Sequence, residues 1–92
     1  MFTAIEKELS YMKKEIILEK LNGIFRENFD DDTIVVSEKT TASDIDEWDS
    51  LEHVNLMAKI EKEFNVKFEL REMLTLKDVG EMVNLLEKKI GV

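Results

Sequence analysis

No proline interrupts this chain, and its apolar residues return every three or four positions over three separate stretches. That spacing fits a helix face and not the alternation of a strand, and nothing inside the stretches forces a break. The prevailing residue types also favour helix. The chain is therefore restricted to an all-α fold built by packing amphipathic helices on one another.

The first helix is predicted from about Thr3 to Asn28, with Thr3 and Glu6 at capping-box spacing. Ile5, Leu9 and Met12, then Ile17, Leu21, Ile24 and Phe25, form its apolar pattern. Gly23 lies inside it at a cost of about 1 kcal/mol relative to alanine. Ser10 offers a second helix start, and Met12-Lys13-Lys14 resembles an alternative chain start. Residues 1–11 are accordingly read as an N-terminal extension, helical in pattern, before a single domain of residues 12–92.

The period fails between Phe29 and Asp49. Asp30-Asp31-Asp32-Thr33 is turn-forming, Ile34-Val35-Val36 is too short for a core strand, and Thr40, Thr41, Ser43 and Asp44 continue the irregular chemistry. A loop of about twenty residues is long for a compact domain, and such loops tend to be functional. Ile34, Val36, Ile45 and Trp48 are expected to pin it to the helices.

Helix resumes at Ser50 and runs to about Asn65, with Asp49 as N-cap and Glu52 at N3, an acidic form of the capping box. Leu51, Val54, Leu56, Met57, Ile60 and Phe64 are its apolar residues. Leu56, Ile60 and Phe64 read as core, whereas Leu51, Val54 and Ala58 lie on a neighbouring stripe near Ser50. Met57, Met73 and Met82 read as adaptable core. A short helical turn spans Leu70 to Leu74. Thr75, with Asp78 three residues on, is expected to cap a last helix whose Val79, Met82, Val83, Leu86 and Ile90 face inward, with Gly91 as its stop. The expected architecture is a small four-helix bundle, three main helices and one short one, with a long loop between the first two.

Charge narrows the partners. Residues 27–52 hold ten acids against one base, Lys39, so this segment carries −9 of a net −8. Such a field repels nucleic acid and anionic membranes and favours basic protein surfaces. Cysteine is absent, which excludes disulfides and thiolate metal sites. No apolar run is long enough for membrane insertion, and the expected setting is cytoplasmic.

Site chemistry is narrowed in the same way. Calcium loops starting at Asp30 or Asp44 would need a central glycine and a closing glutamate, but their twelfth residues are Thr41 and Asn55 and no glycine intervenes. His53 is the only histidine, which rules out a multi-histidine zinc site. Ser50 and His53 are three apart on one helix, but no glycine-rich elbow accompanies them, so His53 is read as a solvated residue and no catalytic residue is assigned. A phosphate ester on Ser50 fits better. In the first turn of a helix, amide N–H groups lack partners and the dipole favours negative charge.

Trp48-Asp49-Ser50-Leu51, followed by an amphipathic run ending Ile60-Glu61-Lys62-Glu63-Phe64, resembles the phosphopantetheine attachment region of acyl carrier proteins. Ile34-Val35-Val36 with Thr40-Thr41-Ala42-Ser43-Asp44 resembles the end of that family's long loop, and residues 75–83 resemble its last helix. The resemblance covers about residues 13–90. It implies a non-catalytic carrier domain over residues 12–92 whose Ser50 bears 4′-phosphopantetheine, transferred from coenzyme A by a phosphopantetheinyl transferase. Asp49 would then cap the helix and contact the transferase. Leu51, Val54 and Ala58, rimmed by Glu52 and Glu61, would form a docking face. The partners implied are that transferase, a ligase or transferase that loads an acyl or aminoacyl cargo, and downstream biosynthetic enzymes, around a monomeric carrier. His53, Asn55, Lys59 and Lys62 dilute the acidity of the second helix, and Trp48 replaces the small residue common in fatty-acid carriers. Both departures point to a specialised acyl or aminoacyl pathway. Without the resemblance, the residues leave open an acidic helical interaction module with no prosthetic group.

Overall fold

The computed structural model describes the backbone of residues 4–90 and the side chains of residues 13–90. It contains four helices: α1 (Ala4–Phe29), α2 (Ser50–Phe64), α3 (Leu70–Leu74) and α4 (Val79–Ile90), and no strand among the described residues. The Thr3–Glu6 capping box and the Gly91 stop lie outside the described residues. The long loop carries one 3-10 turn, Ala42–Asp44, which periodicity had no means of showing.

One core joins the elements. Ile17, Leu21, Ile24 and Phe25 of α1 meet Leu56, Met57 and Ile60 of α2 and Val79, Met82, Val83 and Leu86 of α4, with Val36 and Phe68 from the connections. Two expectations fail at helix ends, where neighbours are fewest. Phe64, the last residue of α2, is only partly buried, and Ile90, the last of α4, is 44% exposed. Met57 and Met82 are core as expected, whereas Met73 is only partly buried.

The ends of α1 and α2 are made without glycine. Asp30 and Asn65 take left-handed conformations, at φ 50° and 55°, just after α1 and α2. Asp and Asn tolerate that region better than most residues. The Thr33 hydroxyl (2.6 Å) and N–H (2.9 Å) then bond Asp31 Oδ1 and hold its carboxyl below the usual range. At α3 the Glu69 N–H, and then Lys89 Nζ at 2.8 Å, do the same for Glu72.

The loop is tied down largely by polar contacts from helices. Asn22 acts as a strand edge for Val36: its Oδ1 accepts Val36 N–H at 2.7 Å and its Nδ2 donates to Val36 O at 3.2 Å. Arg26 Nε donates to Ile34 O at 2.7 Å. At α4 the loop returns the favour, because Thr40 O and Glu38 O accept the N–H groups of Val79 (2.9 Å) and Gly80 (2.8 Å). These are the unpaired donors of a helix start. Asp78 Oδ1 takes a further one, Glu81 N–H, at 2.8 Å. Asp78, and not Thr75, therefore caps α4; Thr75 closes α3, donating Oγ1 to Arg71 O.

The glycines of α1 and α4 give opposite predictions. A Cβ on Gly80 would lie 2.9 Å from Glu38 O, a backbone atom already bonded to Gly80 N–H. Gly80→Ala should cost about 1–3 kcal/mol through that overpacking, more than the helix propensity it gains. Around Gly23 nothing lies within 4 Å of an added Cβ, so Gly23→Ala should stabilise by about 0.5–1 kcal/mol. Denaturant titration of the two variants should move the midpoint in opposite directions.

Candidate functional site

The start of α2 is built by its preceding residue. Asp49 is extended (φ −105°, ψ −174°), its Oδ1 accepts Glu52 N–H at 2.8 Å, and its carbonyl accepts His53 N–H at 2.8 Å. The expected capping box is only half present. Glu52 does not reach back to Asp49; its carboxylate accepts from Asn55 Nδ2 at 2.9 Å and from Asn28 Nδ2 of α1 at 3.4 Å. Ser50 is the first residue of α2 and is exposed. Among the described residues its hydroxyl takes part in no hydrogen bond. The cap is thus supplied by Asp49, and the serine oxygen is free beside unpaired first-turn amides.

Beneath this serine Trp48 is wedged between the loop and the core. Its ring meets Phe25 edge-on, with centroids 5.1 Å apart at 81°, and stacks on His53 at 5.8 Å and 22°. Trp48 Nε1 donates to His53 Nδ1 at 3.0 Å, and His53 Nε2 lies 2.7 Å from Met73 O. Indole N–H is a donor only, so Nδ1 is the acceptor and Nε2 carries the proton that bonds the carbonyl. His53 is therefore half-buried and bridges the loop, α2 and α3, in correction of the solvated residue expected from its place three residues into the helix. With both ring nitrogens so engaged it cannot serve Ser50 as a base. His53→Ala should remove both bonds, cost about 1–2 kcal/mol, and perturb Trp48 emission; unchanged stability and emission would mean that the bridge carries no load.

Beside Ser50 opens a hollow of about 370 Å³, bounded by Trp48, Ser50, His53, Met73, Leu76 and Met82, with Lys77 and Asp78 also lining it. Along α2, Leu51 (70%) and Val54 (51%) are exposed, as is Ala58. Glu61 is partly buried, and its Oε2 accepts Phe68 N–H at 2.8 Å, which holds the α2–α3 connection. Neither Glu52 nor Glu61 is thus an unengaged rim charge. Asn28 has no role in the sequence pattern, and Asn55 and Met73, which there read as a diluting polar residue and adaptable core, act here through partners fixed by the fold: Asn28 and Asn55 on Glu52 and the Met73 carbonyl on His53. No group of three or more metal-ligating side chains occurs among the described residues, and none of their helices is long and apolar enough to cross a membrane.

Residues 19–86 match the family described as the phosphopantetheine attachment site. An acyl carrier protein of Thermotoga maritima is 33% identical over 78 residues, which cover 85% of this chain and 96% of that one. The backbone is similar to the solution NMR structure of a holo acyl carrier protein from Geobacter metallireducens. That likeness has a TM-score of 0.75 and 48% identity, over 79% of this chain and 84% of that chain.

Proposed function

Because the chain belongs to the acyl carrier protein family, we propose that Ser50 is the residue to which its 4′-phosphopantetheine arm is joined. A carrier of this family is not an enzyme; its prosthetic group is phosphopantetheine, whose terminal thiol holds acyl cargo as a thioester. The observation that carries the assignment is the division of labour at α2, where Asp49 makes the cap and leaves Ser50 exposed with an unbonded hydroxyl. The site fits a phosphodiester. First-turn amides and the helix dipole stabilise an anion there, worth about 0.3–1 kcal/mol at an exposed end. Acceptance of the arm would proceed by attack of Ser50 Oγ on the β-phosphate of coenzyme A, with 3′,5′-ADP as the leaving group, on the transferase.

Asp49 is the proposed transferase contact, and Leu51, Val54 and Ala58 are the proposed docking face. Those three small or apolar side chains are all exposed on α2, Leu51 next to the serine and Ala58 about 12 Å along the axis from it, on the helix a partner enzyme must approach. The cargo proposed is a specialised acyl or aminoacyl group. Its support is that α2 carries three acids, Glu52, Glu61 and Glu63, against Lys59 and Lys62, and that Glu52 and Glu61 are spent on internal hydrogen bonds. The two lysines nearly balance the three acids, so a basic partner surface finds little net negative charge on this helix, and Glu52 and Glu61 are held in place by their internal bonds.

Intact mass after incubation with coenzyme A, magnesium and a broad-specificity transferase is the test. One phosphopantetheine-sized gain is expected; no gain beside an active control carrier would contradict the proposal. For the cargo, loading by an adenylating ligase should exceed loading by fatty-acid enzymes, and the reverse order would refute the specialised reading.

A further inference from the structure

The hollow beside Ser50 is closed where it meets the core. Trp48 and His53 stack on one another and form its wall on the α1 side. Behind Trp48 stands Phe25, fully buried, with 5.1 Å between the ring centroids. The Trp48 Nε1 to His53 Nδ1 bond, at 3.0 Å, locks this wall, and the His53 Nε2 to Met73 O bond, at 2.7 Å, ties it to the end of α3. From α4, Met82 adds a wall that is only 1% exposed. The outer side is open, since Ser50 and Lys77 on its rim are exposed.

Size then limits what the hollow holds. Its volume of about 370 Å³ is at the low end of small-ligand sites, which run to roughly 1,000 Å³. A closed cavity of about 150 Å³ takes a benzene-sized body, so this open one has room for such a group and the end of an arm. Met73 and Met82 are unbranched and adaptable, which lets the hollow fit short groups of differing shape. It cannot lengthen toward the core in the same way. Both His53 ring nitrogens are bonded, and the Trp48 indole is held between His53 and Phe25. Lys77 and Asp78, of opposite charge, also line the hollow and offer polar contacts to a hydroxyl or amine on the cargo.

We propose that the clasp of Trp48, His53 and Met73 sets the length of cargo this carrier shelters. A short acyl or aminoacyl group, of roughly six non-hydrogen atoms, fits the hollow, and a long fatty chain is left in water. The inference rests on Ser50 as the attachment point, which puts the arm on the rim. It also narrows the cargo class, because length, and not only docking charge, then separates short cargo from fatty cargo.

The chain should be loaded by a broad-specificity transferase, with magnesium, from acetyl-, butanoyl-, hexanoyl- and dodecanoyl-coenzyme A, and loading read by intact mass. Hydroxylamine then cleaves each thioester, releasing the hydroxamic acid and the thiol of the arm, and the rate is compared with that of the same acyl-coenzyme A free in solution. From acetyl to hexanoyl the loaded thioester should become progressively slower to cleave than the free one, by up to about fourfold per methylene sheltered. Dodecanoyl should gain nothing further, and its exposed tail should lengthen retention of the folded chain on an apolar column. His53→Ala should let protection go on rising beyond hexanoyl. Trp48→Phe, which keeps a ring against Phe25 but has no N–H, should do the same with less disturbance of the fold. A general loosening would instead lower protection at every length. Protection that rises through dodecanoyl in the parent chain, no protection at any length, or a limit unmoved in both variants would overturn the proposal. A chain that takes no arm at all would fail earlier, at Ser50, and the length limit would fall with it.

Discussion

Ser50→Ala is expected to abolish attachment of the arm completely and to leave unfolding within about 0.5 kcal/mol of the parent. The two effects separate because the serine has no structural duty: its side chain is exposed and bonds no described residue, and the cap belongs to Asp49. Alanine is also a good residue for the first turn of a helix. Asp49→Ala should show the converse. Loss of the 2.8 Å bond to Glu52 N–H should cost about 1 kcal/mol, and attachment should slow without vanishing. Parallel mass and thermal measurements would decide it. Residual full modification of the Ser50 variant would move the site elsewhere, and a large loss of stability would give the serine a structural role it lacks in this fold.

Phe25→Ala should have the greatest effect on stability, about 3–5 kcal/mol. A small domain holds only about 5–15 kcal/mol in total, so the variant would be largely or wholly unfolded on mild heating. Phe25 is fully buried on α1 and its ring contacts both Phe29, at 6.1 Å between centroids, and Trp48, at 5.1 Å. Its removal leaves a cavity directly beneath the wedge that supports the α2 entrance. Trp48 is the only tryptophan, so fluorescence during denaturant titration reports the global transition and the site together. A loss below about 1 kcal/mol would show that the ring is not packed as described.

Periodicity made the helices legible because burial is a property of a whole face. Leu70–Leu74 and the start of α2 at Ser50 were read to the residue, and Val36 was correctly read as an anchor of the loop. The failures share one physical cause, competition from partners remote in sequence. Thr75-x-x-Asp78 has cap spacing, but Thr40 and Glu38 bring their carbonyls to α4, and the helix starts at Val79 instead. Glu52 stands at N3, but Asn28 from α1 and Asn55 share its carboxylate. His53 looked solvated because neither the Trp48 indole nor the Met73 carbonyl can be placed against it by counting along the chain. At the site itself the cap and the serine were local, and hence readable; the identity of the phosphate came from resemblance.

Locating the arm on the modified chain decides whether Ser50 carries it. The chain should be incubated with coenzyme A, magnesium and transferase, digested, and its peptides fragmented in the mass spectrometer. A single phosphopantetheine is expected, ejected from the peptide that contains Ser50 and mapped to that residue. An arm mapped to any other hydroxyl, such as Ser43 in the acidic loop, would contradict that assignment.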